Sequence, residues 1–225
     1  MDHRLFAIGD IHGCFDPLRE LIEEKIQLTP DDRLVLLGDY IDRGPKSKEV
    51  IDYIIALKNR GFDITPLSGN HEQMLLDAWE EEDFNGIWMI NGGRETLKSF
   101  GIKEVRNFDP LYLDFFRSLK LYVEIDHYLF VHAGFNDEIE HPFEDTFHMI
   151  WKCRKKYSHP VFKGKTIVHG HCTITASACD ERIKDKDAVI NLDSGCVYTG
   201  YKDYGRLTAL ELNSLKIYFV HATKR

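Results

Sequence analysis

A repeated strand-and-turn pattern limits what this chain can fold into. Three times in its N-terminal third, a short apolar run is followed by a glycine and then by a side chain that can bind a metal ion. Such runs predict buried strands, and the helical spacing between them predicts an α/β arrangement. Because the carboxyl ends of parallel strands meet at one edge of a sheet, three polar groups should gather there. The runs are residues 5–8, 34–37 and 64–67, and the polar residues are Asp10, Asp39 and Asn70.

The rest of the chain adds helices and a second set of strands. Helices are predicted over 16–26, with Pro17 at the first helical position, over 47–58 and over 72–82. Strands predominate in the second half, with hairpin turns at 126–127 and 213–214. We therefore expect an α/β fold, a four-layer sandwich of two mixed β-sheets flanked by helices. One domain should span residues 1–225, with a helical segment at about 79–119. The later strands are predicted at 121–125, 128–131, 166–168, 189–192, 207–212 and 216–220.

Composition argues against several classes of partner. The net charge of −8 means that the average surface repels nucleic acid and anionic membranes, so neither is expected as a partner. No apolar run approaches the roughly 20 residues of a membrane helix, and no signal-peptide pattern is visible, so a cytoplasmic location is expected. The five cysteines form no CxxC pair and are expected to be reduced thiols. Composition does not set the oligomeric state.

Five short stretches join glycine to carboxylate, amide or imidazole groups. Oxygen and imidazole ligands without a cysteine pair suit Mn, Fe or Zn better than they suit a structural zinc cluster. The stretches hold more of these groups than one metal needs. This indicates a two-metal hydrolase, in which two ions hold a phosphoryl group and activate a water. The stretches are GDIHG at 9–13, GDYIDRG at 38–44, GNHE at 69–72, VHAG at 131–134 and HGH at 169–171.

Position along the predicted strands separates ligands from ordinary turn residues. A single Gly-Asp pair is usually a turn, but three examples at successive strand ends favour a functional site. His132 and His171 also follow predicted strands, which favours metal ligands over hydrogen-bonded core residues. His169 shares its motif with His171 but should lie within the strand. It is expected to be either a partner of a ligand or a core residue.

The motifs GDxHG, GDxxDRG and GNHE are intact and in order. With the two downstream histidines and the stretch 190–195, they resemble the phosphoprotein phosphatase family (serine/threonine type) of the calcineurin-like binuclear metallophosphoesterases, in its compact bacterial and phage branch. The resemblance spans nearly the whole chain. The Asp-Arg pair of the second motif distinguishes this family from metallophosphoesterase nucleases and cyclic-nucleotide phosphodiesterases. The resemblance implies two divalent metal ions, with Mn expected and Fe or Zn as alternatives.

The resemblance also implies roles for individual residues. Asp39 would bridge the two ions. His71 would be the general acid for the leaving oxygen, oriented by Asp42, and Arg43 would hold the phosphate. The implied metal ligands are Asp10, His12, Asp39, Asn70, His132 and His171; the implied catalytic residues are His71, Asp42 and Arg43; the implied phosphate-binding residues are Arg43, Asn70 and Arg154.

One position departs from the family pattern. The family has a second phosphate-binding arginine, often shortly after a tryptophan, and here the sequence from Trp151 is Trp-Lys-Cys-Arg. With the usual spacing, Cys153 would occupy the place of that arginine. Arg154 is the candidate, with Lys152 as the alternative.

The expected reaction is metal-dependent hydrolysis of a phosphomonoester by a metal-activated water. A serine/threonine protein phosphatase is expected, with dual specificity for phosphotyrosine left open; the substrate would be a phosphorylated protein or a small phosphoester. The alternative is a hydrolase of dinucleoside polyphosphates or nucleotides with the same fold. A catalytically dead binding module is disfavoured because every implied ligand is present. Four aromatic residues could stack a nucleobase or simply pack in the core: Trp79, Phe84, Trp88 and Tyr201.

Overall fold

The apolar runs form strands in two sheets. The computed structural model describes residues 3–81 and 85–223. Within these ranges, one sheet has five strands in the order β3-β2-β1-β8-β9 and the other has four in the order β4-β5-β6-β7. The strands are β1 (Leu5–Ile8), β2 (Arg33–Leu36), β3 (Asp63–Pro66), β4 (Tyr122–Ile125), β5 (Tyr128–Val131), β6 (Thr166–His169), β7 (Val189–Asn191), β8 (Arg206–Glu211) and β9 (Lys216–His221).

Helices and short helical turns connect the strands. The first helix continues into a π-helical turn over Leu21–Lys25, and a second π-helical turn covers Met89–Gly93. Short 3₁₀ turns lie at Val105–Asn107 and Pro160–Phe162. The helices are α1 (Phe15–Glu20), α2 (Ser47–Asn59), α3 (Asn70–Glu80), α4 (Asn85–Trp88), α5 (Arg94–Phe100), α6 (Pro110–Arg117), α7 (Thr146–Trp151) and α8 (Ala176–Lys184).

Both sheets are mixed, as predicted. In the first sheet β1, β2 and β3 run parallel, and β8 pairs antiparallel with β1. In the second sheet β4 is antiparallel to β5, whereas β5, β6 and β7 are parallel. The parallel strands of each sheet therefore present their carboxyl ends together.

Alternating side chains build the four layers. Successive residues of a strand point to opposite faces of the sheet. Leu5 packs between the two sheets with Phe130 of β5, whereas the next residue, Phe6, packs in the helix-lined core with Val50 of α2. On the outer face of the second sheet, Leu129 packs in a cluster that includes α7. The predicted four-layer sandwich is thus confirmed.

Several predicted element boundaries differ from the structure. The first helix begins at Phe15, so Pro17 is its third residue and not its first. The third helix begins at Asn70, which places GNHE in its first turn, and predicted residue 82 lies outside the described ranges. The turn at 126–127 is confirmed, but the second hairpin turn covers 212–215, where Leu215 has φ 56°. None of the helices in the described ranges combines the length and hydropathy needed to cross a bilayer.

Candidate metal centre and catalytic residues

Three strand ends of the first sheet bring polar side chains to one edge. Asp10 lies two residues beyond β1, Asp39 follows β2, and Asn70 opens α3 after β3; all three are buried. A glycine is needed before Asp39. Gly38 has φ 103°, and a Cβ there would lie 2.8 Å from Nδ1 of His132. The close approach of the second sheet to this edge therefore depends on the absence of a side chain.

The second sheet delivers two imidazoles to the same place. His132 follows β5 directly, and His171 lies two residues beyond the end of β6. The backbone N–H of Gly170 donates to the carbonyl of His132 at 2.8 Å, which ties the two neighbouring strand ends together. His171 has φ 64°, and this left-handed conformation turns the chain out of the strand.

The carboxylate of Asp39 lies between two groups of imidazoles. Its Oδ2 atom is 3.5 Å from Nε2 of His12, and its Oδ1 atom is 3.4 Å from Nε2 of His132. One group of possible ligand atoms comprises His12, Asp39 and His71; the other comprises Asp39, His132 and His171. Although burial opposes ionisation, the surrounding imidazoles lower the pKa of Asp39. A carboxylate that is shared by both groups of ligand atoms has the position expected of a ligand that bridges two cations.

The hydrogen bonds of the histidines leave ligand atoms facing the cluster. Nδ1 of His12 donates to the carbonyl of Ile41 at 2.9 Å, and Nδ1 of His132 donates to that of Leu37 at 2.8 Å. In both rings Nε2 therefore keeps its lone pair and faces Asp39. Burial lowers the pKa of His12 well below its ordinary value, so the ring is neutral.

Further lone-pair donors converge near His132. Its Nε2 atom lies 3.1 Å from Oδ1 of Asn70 and 3.2 Å from Nδ1 of His171, which is itself 2.9 Å from the same amide oxygen. Burial lowers the pKa of His171 to about 4, which favours the neutral ring. Imidazole nitrogens and an amide oxygen gathered beside a carboxylate fit a divalent cation.

Asp10 connects the first sheet to the second. Its two carboxylate oxygens accept the backbone N–H of His171, both at 3.1 Å. Burial, followed by the charges of Asp193 and Asp39, raises the pKa of Asp10 well above its ordinary value. Asp193 is buried and accepts hydrogen bonds from Oγ1 of Thr173 at 2.7 Å and from the backbone of Gly195 at 3.0 Å. The sequence predicts a strand and a turn over 190–195 and assigns Asp193 no role.

Arg43 extends its guanidinium into the cluster. Its Nη1 atom donates to Nε2 of His12 at 2.6 Å, so the lone pair of that nitrogen faces a positive charge. The backbone of Arg43 is left-handed, with φ 66°. A guanidinium placed here can hold phosphoryl oxygens bidentately.

His71 and Asp42 form a buried pair beside the cluster. Nδ1 of His71 donates to Oδ2 of Asp42 at 2.7 Å. Nε2 has no hydrogen-bond partner among the described residues and lies 4.0 Å from Oδ2 of Asp39. Burial alone would lower the pKa of His71, but the Asp39 carboxylate and the bond to Asp42 outweigh it and raise that pKa. The ring is thus held by one nitrogen and presents the other to the site.

The remaining residue of GNHE organises the main chain. The carboxylate of Glu72 accepts backbone N–H groups from Asp39 at 2.9 Å, Tyr40 at 2.8 Å and Gly69 at 3.0 Å. Burial, and after it the charge of Asp39, raises the pKa of Glu72 to about 8. The hydrogen bonds from these N–H groups lower the pKa of Glu72, because they favour the ionised carboxylate. Sequence reasoning gave this residue no task.

The two candidates for the second phosphate clamp contact residues that belong to neither group of candidate ligand atoms. Arg154 forms an ion pair with Glu138, and the ammonium of Lys152 lies over the ring of Phe147 at 5.7 Å. No hydrogen bond joins Arg154 to the ligand cluster in the described part of the chain. His169 is buried in β6, where Nδ1 donates to the carbonyl of Gly170 at 2.9 Å, as a core residue does.

The prediction of five reduced thiols is wrong, because a disulfide joins Cys153 to Cys172. The two residues are 19 apart in sequence, and no local spacing signals the pair. They meet because the segments after β5 and β6, which are neighbouring parallel strands, run along the same edge. The other three cysteines, Cys14, Cys179 and Cys196, are free and buried.

The aromatic residues considered for base stacking have different surroundings. Trp88 is fully buried and donates to Asp42, so it cannot stack on a ligand. Trp79 packs against the core, and the guanidinium of Arg106 lies over its ring at 5.5 Å. Tyr201 is 69% exposed, and Phe84 lies outside the described residues.

Comparison with known proteins identifies relatives along most of the chain. The family model described as calcineurin-like phosphoesterase matches residues 3–220. The symmetrical bis(5'-nucleosyl)-tetraphosphatase of Pseudomonas putida (strain W619) is 35% identical over 132 residues, which are 57% of this chain and 41% of that protein. Serine/threonine-protein phosphatase 1 of Salmonella typhimurium (strain LT2) is 40% identical over 89 residues, 40% of this chain and 38% of that protein. The matches thus span less than half the length of these curated relatives.

Solved structures share the fold over the whole chain. A candidate diadenosine tetraphosphatase superposes with a TM-score of 0.68 at 21% identity, covering 99% of this chain and 95% of its own. A protein serine/threonine phosphatase from Saccharomyces cerevisiae has a TM-score of 0.70 at 17% identity, covering 100% and 81%. At these identities the likeness establishes the architecture alone.

Proposed function

This chain belongs to the calcineurin-like phosphoesterase family, and we propose that it is a metal-dependent phosphomonoester hydrolase acting on phosphoserine and phosphothreonine in proteins. Its membership makes it a phosphoesterase of a family that uses a two-metal site, and the chain carries two groups of candidate ligand atoms. The substrate class and the role of each residue are the proposal. They are supported by the chemistry that the buried side chains can perform.

The proposed metal ligands form two groups that share Asp39. When bound, two divalent cations would supply Lewis acidity and lower the pKa of an attacking water. Arg43 and the amide of Asn70 hold the phosphoryl oxygens and stabilise the charge that develops on them. His71 donates a proton from Nε2 to the departing oxygen. Asp10 and His12 are proposed for the first cation, Asp39 for both, and Asn70, His132 and His171 for the second.

The buried pair of His71 and Asp42 is the observation that carries the substrate class. Nε2 of His71 is enclosed, has no hydrogen-bond partner in the part of the chain that the structure describes, and lies 4.0 Å from Oδ2 of Asp39, beside the proposed cation sites. A serine or threonine alkoxide is a poor leaving group and gains most from a general acid. A phosphoanhydride oxygen leaves readily without one. An oriented acid at this place therefore favours an alkyl phosphomonoester.

Hydrolysis of dinucleoside polyphosphates is the second candidate, and one further observation favours it. A cavity of ≈ 250 Å³ opens beside Arg43, with walls that include Pro17, Pro45 and Val197. It offers room for an organic group attached to the bound phosphate. Several curated relatives bear the name of a symmetrical bis(5'-nucleosyl)-tetraphosphatase, so this substrate class belongs in any test.

The test compares three substrates with Mn restored after chelation. These are a phosphoserine peptide, p-nitrophenyl phosphate and diadenosine tetraphosphate, each assayed with the wild type and with His71→Asn. We expect the highest kcat/KM on the peptide. His71→Asn should lower kcat on the peptide by roughly 10²–10⁴-fold, and much less on the nitrophenyl ester, whose leaving group needs less protonation.

His141→Asn is the matched control, because this histidine is exposed and belongs to neither group of candidate ligand atoms in the described residues. It should leave every rate unchanged. An equal loss for His71→Asn on all substrates would contradict the acid role. Preference for the dinucleotide, with His71→Asn nearly silent, would replace the proposed substrate class by the second candidate.

Mn is the proposed metal, because oxygen and imidazole ligands without a thiolate suit it. Metal analysis after exchange against Mn, Fe and Zn tests the choice. A single catalytic domain over 1–225 and a cytoplasmic location stay predictions. Five reduced thiols would have supported a cytoplasmic location, and the disulfide between Cys153 and Cys172 removes that support.

A further inference from the structure

The carboxylate of Asp42 accepts hydrogen bonds from two further side chains besides the imidazole of His71. The side chain is 0% exposed, and Nε1 of Trp88 donates to both of its carboxylate oxygens, at 3.1 and 3.0 Å. The hydroxyl of Thr96 donates to Oδ1 at 2.6 Å. With His71 on Oδ2, three side chains fill the acceptor positions of one carboxylate, so its orientation is fixed.

Thr96 also holds the main chain of the same residue. Its Oγ1 atom accepts the backbone N–H of Asp42 at 2.9 Å. Asp42 has φ 71°, a left-handed conformation that is costly for a residue other than glycine. One hydroxyl therefore stabilises both the unusual backbone and the direction of the carboxylate.

The segment that supplies both donors is shaped to approach this loop. Trp88 ends α4, and the π-helical turn after it leads to α5, which carries Thr96. A Cβ on Gly92 would lie 2.6 Å from the backbone nitrogen of Arg43, and one on Gly93 would lie 2.6 Å from the indole of Trp88. Two glycines thus let the segment contact the loop that carries Asp42 and Arg43.

We propose that Trp88 and Thr96 are positioning residues for the proton donor of the reaction. They hold Asp42 so that one oxygen accepts from Nδ1 of His71, which directs the unpartnered Nε2 into the site. The inference rests on the proposed function, because it assumes that His71 protonates the leaving oxygen. The hydrogen bonds of the two side chains join them to Asp42 and Ser47 and, within the described residues, to no proposed metal ligand.

The test removes each hydrogen-bond donor by a conservative substitution. Trp88→Phe deletes the indole N–H and keeps an aromatic ring, Thr96→Val replaces the hydroxyl by a methyl group, and Thr96→Ser keeps the hydroxyl. On a phosphoserine peptide, Trp88→Phe and Thr96→Val should each lower kcat by about 10-fold to 100-fold, with KM unchanged. On p-nitrophenyl phosphate the loss should be small. Thr96→Ser should retain the wild-type rate.

Two further measurements separate positioning from general damage. Trp79→Phe is the matched aromatic control, since Trp79 packs outside the site, and it should be silent. In an Asp42→Asn background, Trp88→Phe and Thr96→Val should cause little further loss, because the carboxylate that they hold is gone. An equal loss on both substrates, or a full additional loss in that background, would overturn the inference.

Failure of the proposed function gives a different result. If Asp42→Asn and His71→Asn leave kcat on the peptide unchanged, the acid role itself is wrong. If those two variants lose activity while Trp88→Phe and Thr96→Val keep it, with unchanged thermal midpoints, only the positioning role is wrong.

Discussion

The carboxylate of Glu72 accepts the backbone N–H of Asp39 at 2.9 Å, from inside the first turn of α3. Through this bond and those to Tyr40 and Gly69, Glu72 fixes the strand end from which the central carboxylate projects. In the described residues, Glu72 belongs to neither group of candidate ligand atoms. The GNHE motif thus supplies a proposed ligand, a proposed acid and the support for a ligand on the neighbouring strand.

Glu72→Gln should weaken this support. The amide keeps one acceptor oxygen and turns an NH₂ group toward backbone donors, so buried N–H groups lose their partner. We expect the free energy of unfolding to fall by about 1–3 kcal/mol in urea denaturation of the metal-free protein. Glu80→Gln, on the exposed side of the same helix, should stay within about 0.5 kcal/mol of the wild type. Equal stability of the two variants would contradict the role of Glu72.

The parallel strand ends explain how much of the site was accessible from sequence. Asp10, Asp39 and Asn70 were identified because each follows a buried run and a glycine, a local pattern that parallel pairing converts into proximity. The four layers were predictable for a similar reason, since apolar periodicity records which face is buried. Both inferences need only information that lies within a few residues along the chain.

Asp39→Asn should disturb both proposed cation sites. The amide has one oxygen ligand instead of two and no charge with which to balance two cations. Bound Mn, measured after dialysis, should fall below two equivalents, and kcat should fall by more than the roughly 10–100-fold that loss of an outer partner causes. Asp31→Asn changes an exposed aspartate and should do neither. A variant with full metal content and a near-normal rate would remove Asp39 from the bridge.

Contacts between distant segments were not accessible from sequence. The disulfide depends on the adjacency of β5 and β6, which no spacing of cysteines reveals. The hydrogen bond from Trp88 to Asp42 is likewise long-range, and an isolated tryptophan in a helical stretch gives no signal beyond core packing. Such contacts are set by tertiary packing.

Reduction of the disulfide should destabilise the protein. Closing a loop over a separation of 19 residues stabilises a fold by about 3 kcal/mol. A phosphine reductant should therefore lower the denaturation midpoint of the wild type and leave that of a Cys153→Ser, Cys172→Ser double variant unchanged. Thiol titration of the denatured, unreduced protein should count three free cysteines. A count of five would contradict the disulfide.

The guanidinium of Arg154, the candidate for a second phosphate-binding group, forms an ion pair with Glu138. If Arg154 binds phosphate, Glu138→Gln should release its guanidinium and lower KM. Arg154→Ala should raise KM. It should lower kcat/KM by a factor that corresponds to a loss of about 1.5–3 kcal/mol of transition-state binding, and it should weaken product inhibition by phosphate. Lys152→Ala should change little, because that ammonium lies over Phe147. If Lys152→Ala alone is damaging, the clamp is Lys152. If all three variants match the wild type, phosphate is held without a second clamp, and a substrate with further binding groups of its own, such as a dinucleoside polyphosphate, gains support over a phosphopeptide.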